Sequence, residues 1–194
     1  MGLVIFLVVV VVLVLWMVGA YNRLISLKNQ VLNAWKQIDV QLKRRHDLIP
    51  NLVNTVKGAM EFERGTLEAV ISARNRAVSA TGVKATAKAE GELTQALGRL
   101  FALSEAYPEL KTNQNILSLQ EELTSTENKV GFARQHYNDV ATTYNTAQST
   151  FPTMLVAGIA KASPADLWEL ENPAEREVPV VDLGGGGREL KAES

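Results

Sequence analysis

Nineteen consecutive residues, Gly2–Ala20 (GLVIFLVVVVVLVLWMVGA), carry no charged or strongly polar side chain. As an α-helix such a run rises roughly 28 Å, close to the hydrocarbon thickness of a bilayer. Valine is a poor helix former in water. In lipid, however, the backbone must satisfy its own hydrogen bonds, and a single segment does so only as a helix. Trp16 and Tyr21 stand at the C-terminal end of the run, where amphipathic rings favour the membrane–water boundary. Val18-Gly19-Ala20 offers small residues at a cleavage position. Yet no Lys or Arg precedes Arg23, and the run exceeds a usual signal-peptide core, so the reading is an uncleaved anchor over residues 1–21.

The flanks predict orientation. Arg23, Lys28, Lys36, Lys43, Arg44 and Arg45 follow the run, against Asp39 as the one acid between Asn22 and Arg45. The positive-inside bias places the N-terminus outside and the following domain in the cytoplasm, on a cell (inner) membrane crossed once. Trp16, Tyr21, Arg23 and Lys28 are the expected membrane-interface residues, and the lipid bilayer is the first expected partner.

The rest reads as all-α. Leu24, Leu27, Val31, Ala34/Trp35, Ile38, Leu42, Ile49, Leu52/Val53 and Val56 recur at three- and four-residue spacing. Pro50 is expected to kink or divide that helix, since its ring removes one backbone donor and crowds the preceding turn. Thr81-Gly82-Val83 predicts a turn, and a second helix follows over about 86–106. Tyr107-Pro108 interrupts it, because proline disfavours helical geometry in the residue before it. Ile116, Leu123, Val130, Tyr137, Tyr144 and Phe151 are spaced by seven, which predicts a bundle helix with left-handed packing. Two arms, 21–80 and 86–150, allow either one long hairpin or a compact antiparallel bundle of three or four long helices. The bundle buries more apolar surface per residue and is the favoured reading over 22–152. Residues 153–194 are expected to form a short helix and an extended tail. That tail holds the tetraglycine Gly184–Gly187 and an excess of acids, from Asp166 to Glu193.

Catalytic constellations are missing. There is no cysteine, so no disulfide, thiolate metal site or Cys nucleophile. A di-iron bundle needs Glu three residues before His, but Lys43 precedes His46 and Ala133 precedes His136. Neither a phosphate loop nor a nucleophile elbow occurs. The net charge of −1 carries no basic excess of the kind nucleic-acid binders show. The expectation is a protein without enzymatic activity, cofactor or metal. What stands out is polar residues in or beside the apolar stripes: Asp39, Arg44, Arg45, Asp47, Asn51, Glu105, Glu127, Arg134, Asn138 and Asn145. Arg45 continues the stripe of Leu24, Val31 and Ile38. A buried guanidinium needs a carboxylate, and Glu127 or Glu105 are the candidates. An inter-helix network that fixes register is favoured over a ligand or docking centre.

Ala34-Trp35-x-x-Ile38-Asp39-Val40-Gln41-Leu42-Lys43-Arg44-Arg45-x-Asp47-Leu48-Ile49-Pro50-Asn51-Leu52-Val53 resembles the hallmark of the LemA family. So do Tyr107-Pro108-Glu109-Leu110-Lys111, Leu119-Gln120-x-Glu122-Leu123-x-x-Thr126-Glu127, the set Arg134, Tyr137, Asn138, Tyr144 and Asn145, and Phe151-Pro152. The resemblance covers about Tyr21 to Phe151. It implies a single-pass membrane protein with a long-helix antiparallel bundle, and no established enzymatic activity. Leu167-Trp168 and Val178–Leu183 match the family's C-terminal end only approximately.

Two functions compete on this reading. One is a membrane-anchored scaffold or interaction module that assembles with its own copies, with Leu24, Leu27, Val31 and Trp35 packing between subunits. The alternative is an accessory or adaptor subunit of a membrane protease or other membrane complex. A third reading is a lipid-associated coat in which Arg23, Lys28 and Lys36 attract anionic headgroups, each by on the order of 1 kcal/mol.

Overall fold

The computed structural model describes residues 1–169, whose regular elements are all helices, with no strand among them. Helix α1 runs unbroken from Gly2 to Val56, about 80 Å at 1.5 Å per residue. Its apolar first third is exposed on every side. Burial begins at Leu24 and recurs at Val31, Ile38, Arg45 and Leu52, with a second series at Leu42, Ile49 and Val56. Both series step by seven, the repeat that keeps one seam facing a partner helix.

Pro50 does not divide α1, contrary to one of the two outcomes expected of it. Its missing N–H would have reached the carbonyl of His46, and Arg74 Nε donates to that carbonyl instead at 3.3 Å. The break falls later, at Lys57–Met60, where Gly58 sits in the turn before a single 3-10 turn, Glu61–Glu63.

Helix α2 spans Arg64–Ser79 and α3 spans Val83–Ser104. They form an antiparallel hairpin whose turn needs Gly82, at φ +84°, a left-handed geometry that costs a residue with a Cβ. Tyr107 is extended before Pro108, which opens the single turn α4, Pro108–Lys111. Asn113 then caps α5, its side chain accepting from the backbone N–H groups of Asn115 and Ile116 at 3.0 and 3.4 Å. Helix α5 runs from Gln114 to Ser149, antiparallel to α1 and packed along it. Helix α6, Thr153–Ile159, packs on both. The chain then returns along α5 to Trp168.

Two apolar clusters result. The distal one joins the end of α1 (Ile49, Val53, Val56) to α2 (Leu67, Val70), α3 (Leu93, Leu97, Leu100) and the start of α5 (Ile116, Leu123). The other joins Leu24, Val31, Ile38 and Leu42 of α1 to Val130, Tyr137, Ala141 and Tyr144 of α5, with Ala157 and Trp168 closing its side. The distal part is therefore a four-helix bundle, and the part nearer the apolar run is a helix pair closed on its side by the start of α3 at Ala87, by α6 and by the returning chain. Ile116, Leu123, Val130, Tyr137 and Tyr144 are buried as one seam, but Phe151 leaves the series and is 73% exposed. It lies past the end of α5, so the helical repeat no longer aims its ring. Leu24 and Val31 are buried and Leu27 and Trp35 half-buried within the chain itself. They are not available to pack between subunits as expected. The tetraglycine tail and Val178–Leu183 lie outside the described residues.

Candidate functional site

Between the two clusters lies a layer of charge. Arg45, on the α1 seam, is 3% exposed. Its Nη1 donates to Glu90 Oε2 on α3 and contacts Glu127 Oε2 on α5, both at 3.0 Å, and its Nη2 donates to Thr94 Oγ1 at 2.8 Å. The other oxygen of the buried Glu90 carboxylate accepts from His46 Nε2 at 2.6 Å. One guanidinium thus ties α1 to two other helices, and one carboxylate is shared by neighbouring residues of α1. Desolvated charges are tolerable only when each is paired and its hydrogen-bonding capacity used, and here the partners lie inside the layer. Thr126, also buried, donates to its own helix at Glu122 O, 2.8 Å. Arg44, beside Arg45 but turned outward, holds Glu122 Oε1 at 2.7 Å on the surface.

A second polar cluster clamps the returning chain against α5. The Asn145 side-chain amide accepts from Ala165 N at 2.8 Å and donates to Ala165 O at 2.9 Å. Asn138 does the same to Trp168, at 2.8 and 3.0 Å. Each primary amide therefore supplies the donor and acceptor that a neighbouring strand would supply. The Tyr137 hydroxyl donates to Asp166 O at 2.7 Å. Burial pushes the Tyr137 phenol above its ordinary pKa of 10.0, and the nearby Asp166 charge pushes it further. Burial raises Tyr144 as well. Trp168 is buried against Trp35, ring centroids 6.0 Å apart, with the Arg134 guanidinium 5.8 Å from its ring centre. Trp35 in turn meets Tyr137 edge-on at 5.6 Å. The buried Trp168 Nε1 has no acceptor among the described residues.

These two clusters sort the residues singled out from the sequence. Arg45 and Glu127 meet in the layer, and Arg134, Asn138 and Asn145 meet at the clamp. Glu105 does not reach Arg45: it is exposed and pairs with Lys111 Nζ at 3.1 Å. It sits just past the end of α3, beyond the layer's level. Asp39, Asp47 and Asn51 lie exposed on α1, outside both clusters. Trp16, Tyr21, Arg23 and Lys28 are exposed along or just after the apolar run. Sequence reasoning missed Glu90, the most buried carboxylate of the layer. The signal was present: the α3 stripe Leu93, Leu97, Leu100 extended back by three residues reaches Glu90. It also missed His46 and Arg74 as partners, and Trp168 as the anchor of the clamped segment. Among the described residues no three His, Asp or Glu side chains converge as a metal ion would need.

The LemA family profile matches residues 34–183, more than three quarters of the chain. The chain belongs to the LemA family. Protein LemA of Metamycoplasma hominis is 29% identical over 142 residues, which cover 72% of this chain and 64% of that relative. The chain thus spans just under two thirds of that relative's length. Magnetosome protein MamQ 2 of Paramagnetospirillum magneticum is 24% identical over 187 residues, covering 83% of this chain and 68% of its own. Magnetosome protein MamQ of Magnetospirillum gryphiswaldense is 23% identical over the same shares. The LemA match runs through both polar clusters and past the clamped segment, so it takes in the C-terminal part that looked only approximate by motif.

Proposed function

We propose that this LemA-family chain is a non-enzymatic, membrane-anchored interaction module, crossing the bilayer once with its N-terminus outside and its bundle in the cytoplasm. The first third of α1 is long and apolar enough to cross a membrane and is exposed throughout, which is what lipid contact requires. The charged side chains of the interior are spent on one another and on helix register, which leaves the outer surface as the working part.

The observation that carries the reading is an apolar pair on that surface. Val40 on α1 and Phe132 on α5 are 62% and 74% exposed and line one groove between the two helices, flanked by Lys36, Lys129 and His136. Exposed large apolar groups rimmed by polar ones are typical of protein-contact sites. Val40 lies nineteen residues after Tyr21, about 28 Å along the helix, so the face is held clear of the bilayer surface.

Photo-crosslinking from position 132 in native membranes tests this. Adducts are expected at 132 and not at the exposed, purely polar position Asp139. Adducts with copies of the same chain identify a self-assembling scaffold. A stoichiometric membrane enzyme identifies an adaptor subunit. Absence of adducts from both 132 and 40, with the chain monomeric at all concentrations in detergent, would overturn the reading.

A further inference from the structure

We propose that the corner between α5 and α6 is a second membrane contact, in which Phe151, Met154, Leu155 and Ile159 enter the headgroup–acyl boundary of the bilayer that α1 crosses. The inference rests on the anchor reading above and adds a surface to it.

The register of the α1–α5 pair places the corner. Arg45 meets Glu127 and Trp35 meets Tyr137, ten residues on in opposite directions along the two helices. Because both helices rise equally per residue, the same register carried twelve residues further sets Ser149, the end of α5, level with Arg23. Phe151 follows two residues past that end, beyond the helical register and toward the Tyr21 edge of the apolar run. Helix α6 turns at this end and packs on α1 and α5, after which the chain heads back toward Trp35 and Trp168.

Chemistry agrees with position. No charged residue occurs between Asp139 and Lys161. Within that stretch Val156 and Ala157 of α6 face inward, while Phe151, Met154, Leu155 and Ile159 are half to three-quarters exposed. A short helix with one face docked on protein and the other apolar suits burial of a few ångströms into the interface. Lys161 follows at once and is exposed, placed as an interfacial cation. A bilayer accounts for this apolar end because the helix register already sets it beside the membrane that α1 crosses.

The chain has no cysteine, so a single introduced cysteine reports alone. Full-length Leu155→Cys, Val10→Cys and Asp139→Cys variants, each carrying an environment-sensitive fluorophore, are reconstituted into phosphatidylcholine–phosphatidylglycerol vesicles; Asp139 is exposed and lies outside the Val40–Phe132 face. Nitroxide-bearing acyl chains are expected to quench the label at 155 severalfold more than the label at 139, and aqueous iodide the reverse. Quenching at 155 that equals that at 139, while Val10 is quenched by lipid, overturns the corner contact alone. Shielding of 155 from both quenchers also overturns it, because protein then covers the corner. Lack of lipid quenching at Val10 overturns the anchor and the corner together.

Discussion

Asn138 and Asn145 stand seven residues apart on α5, and the backbone groups they grip, on Trp168 and Ala165, are three residues apart. Seven residues of helix rise about 10.5 Å and three of extended chain about 10 Å, so the two periods coincide. The same spacing that places Tyr137 and Tyr144 in the seam therefore turns two amides, one position on, into consecutive rungs for an extended segment.

Loss of a rung should free that segment. Asn145→Ala and Asn138→Ala each remove a donor and an acceptor from half-buried backbone groups, at a cost of about 1–3 kcal/mol. Hydrogen exchange in detergent is expected to quicken at residues 165–168 and to stay unchanged at Leu93–Leu100. Unaltered exchange at 165–168 would show that the Trp168 ring and the Tyr137 hydroxyl hold the segment without the amides.

The charged layer should respond unequally to its two carboxylates. Glu90 is almost wholly buried, and Glu90→Gln leaves Arg45 and His46 short of their shared charge, with an expected loss of about 3–5 kcal/mol. Glu127 is 40% exposed, and Glu127→Gln should cost at most about 1 kcal/mol. Denaturant unfolding of the full chain in detergent measures both, and equal losses would contradict the assigned order.

Arg74 and Pro50 should be energetically coupled through the His46 carbonyl. Arg74→Leu leaves that carbonyl without its donor in the native chain, whereas Pro50→Ala restores a helical N–H to it. Arg74→Leu should therefore cost about 1 kcal/mol less in the Pro50→Ala background. Additive losses in the double-mutant cycle would mean that Arg74 acts elsewhere.

Alkaline stability should carry the mark of Tyr137. Its phenol is raised in the folded chain, so the native state keeps a proton that the unfolded chain loses near pH 10. Its contribution is complete below that pH and is lost as pH rises through the folded value. Tyr137→Phe should lower the unfolding midpoint by a constant amount at neutral pH, through the bond to Asp166, and flatten the decline above about pH 9. A decline as steep as in the native chain would place the titrating group at another raised phenol, Tyr144 or Tyr107.

Much of the fold was legible because its signals are local. The apolar run, the seven-residue seam of α5, the extended Tyr107 before Pro108 and the turn at Gly82 each follow from backbone sterics or helical period in a short window. The positions of the polar partners were less legible. Arg45 announced itself by interrupting an apolar series, but its partner could not be chosen between Glu105 and Glu127, and Glu90 passed unremarked. A carboxylate that ends a stripe looks like a surface residue until the level of a third helix is known. Pro50 misled for a similar reason: the donor that lets α1 continue comes from Arg74, twenty-eight residues away.

By itself, then, the sequence determined a long apolar helix, a helical bundle without thiol chemistry, and the seam residues of both long helices. These follow from side-chain transfer energies and from the 3.6-residue turn, which act within a segment. Tertiary structure alone decided which charges meet, that α1 passes through Pro50, that residues 165–168 return to α5, and that Phe151 leaves the seam to face outward. Each depends on the antiparallel register of separate helices, a quantity fixed only when all of them pack at once.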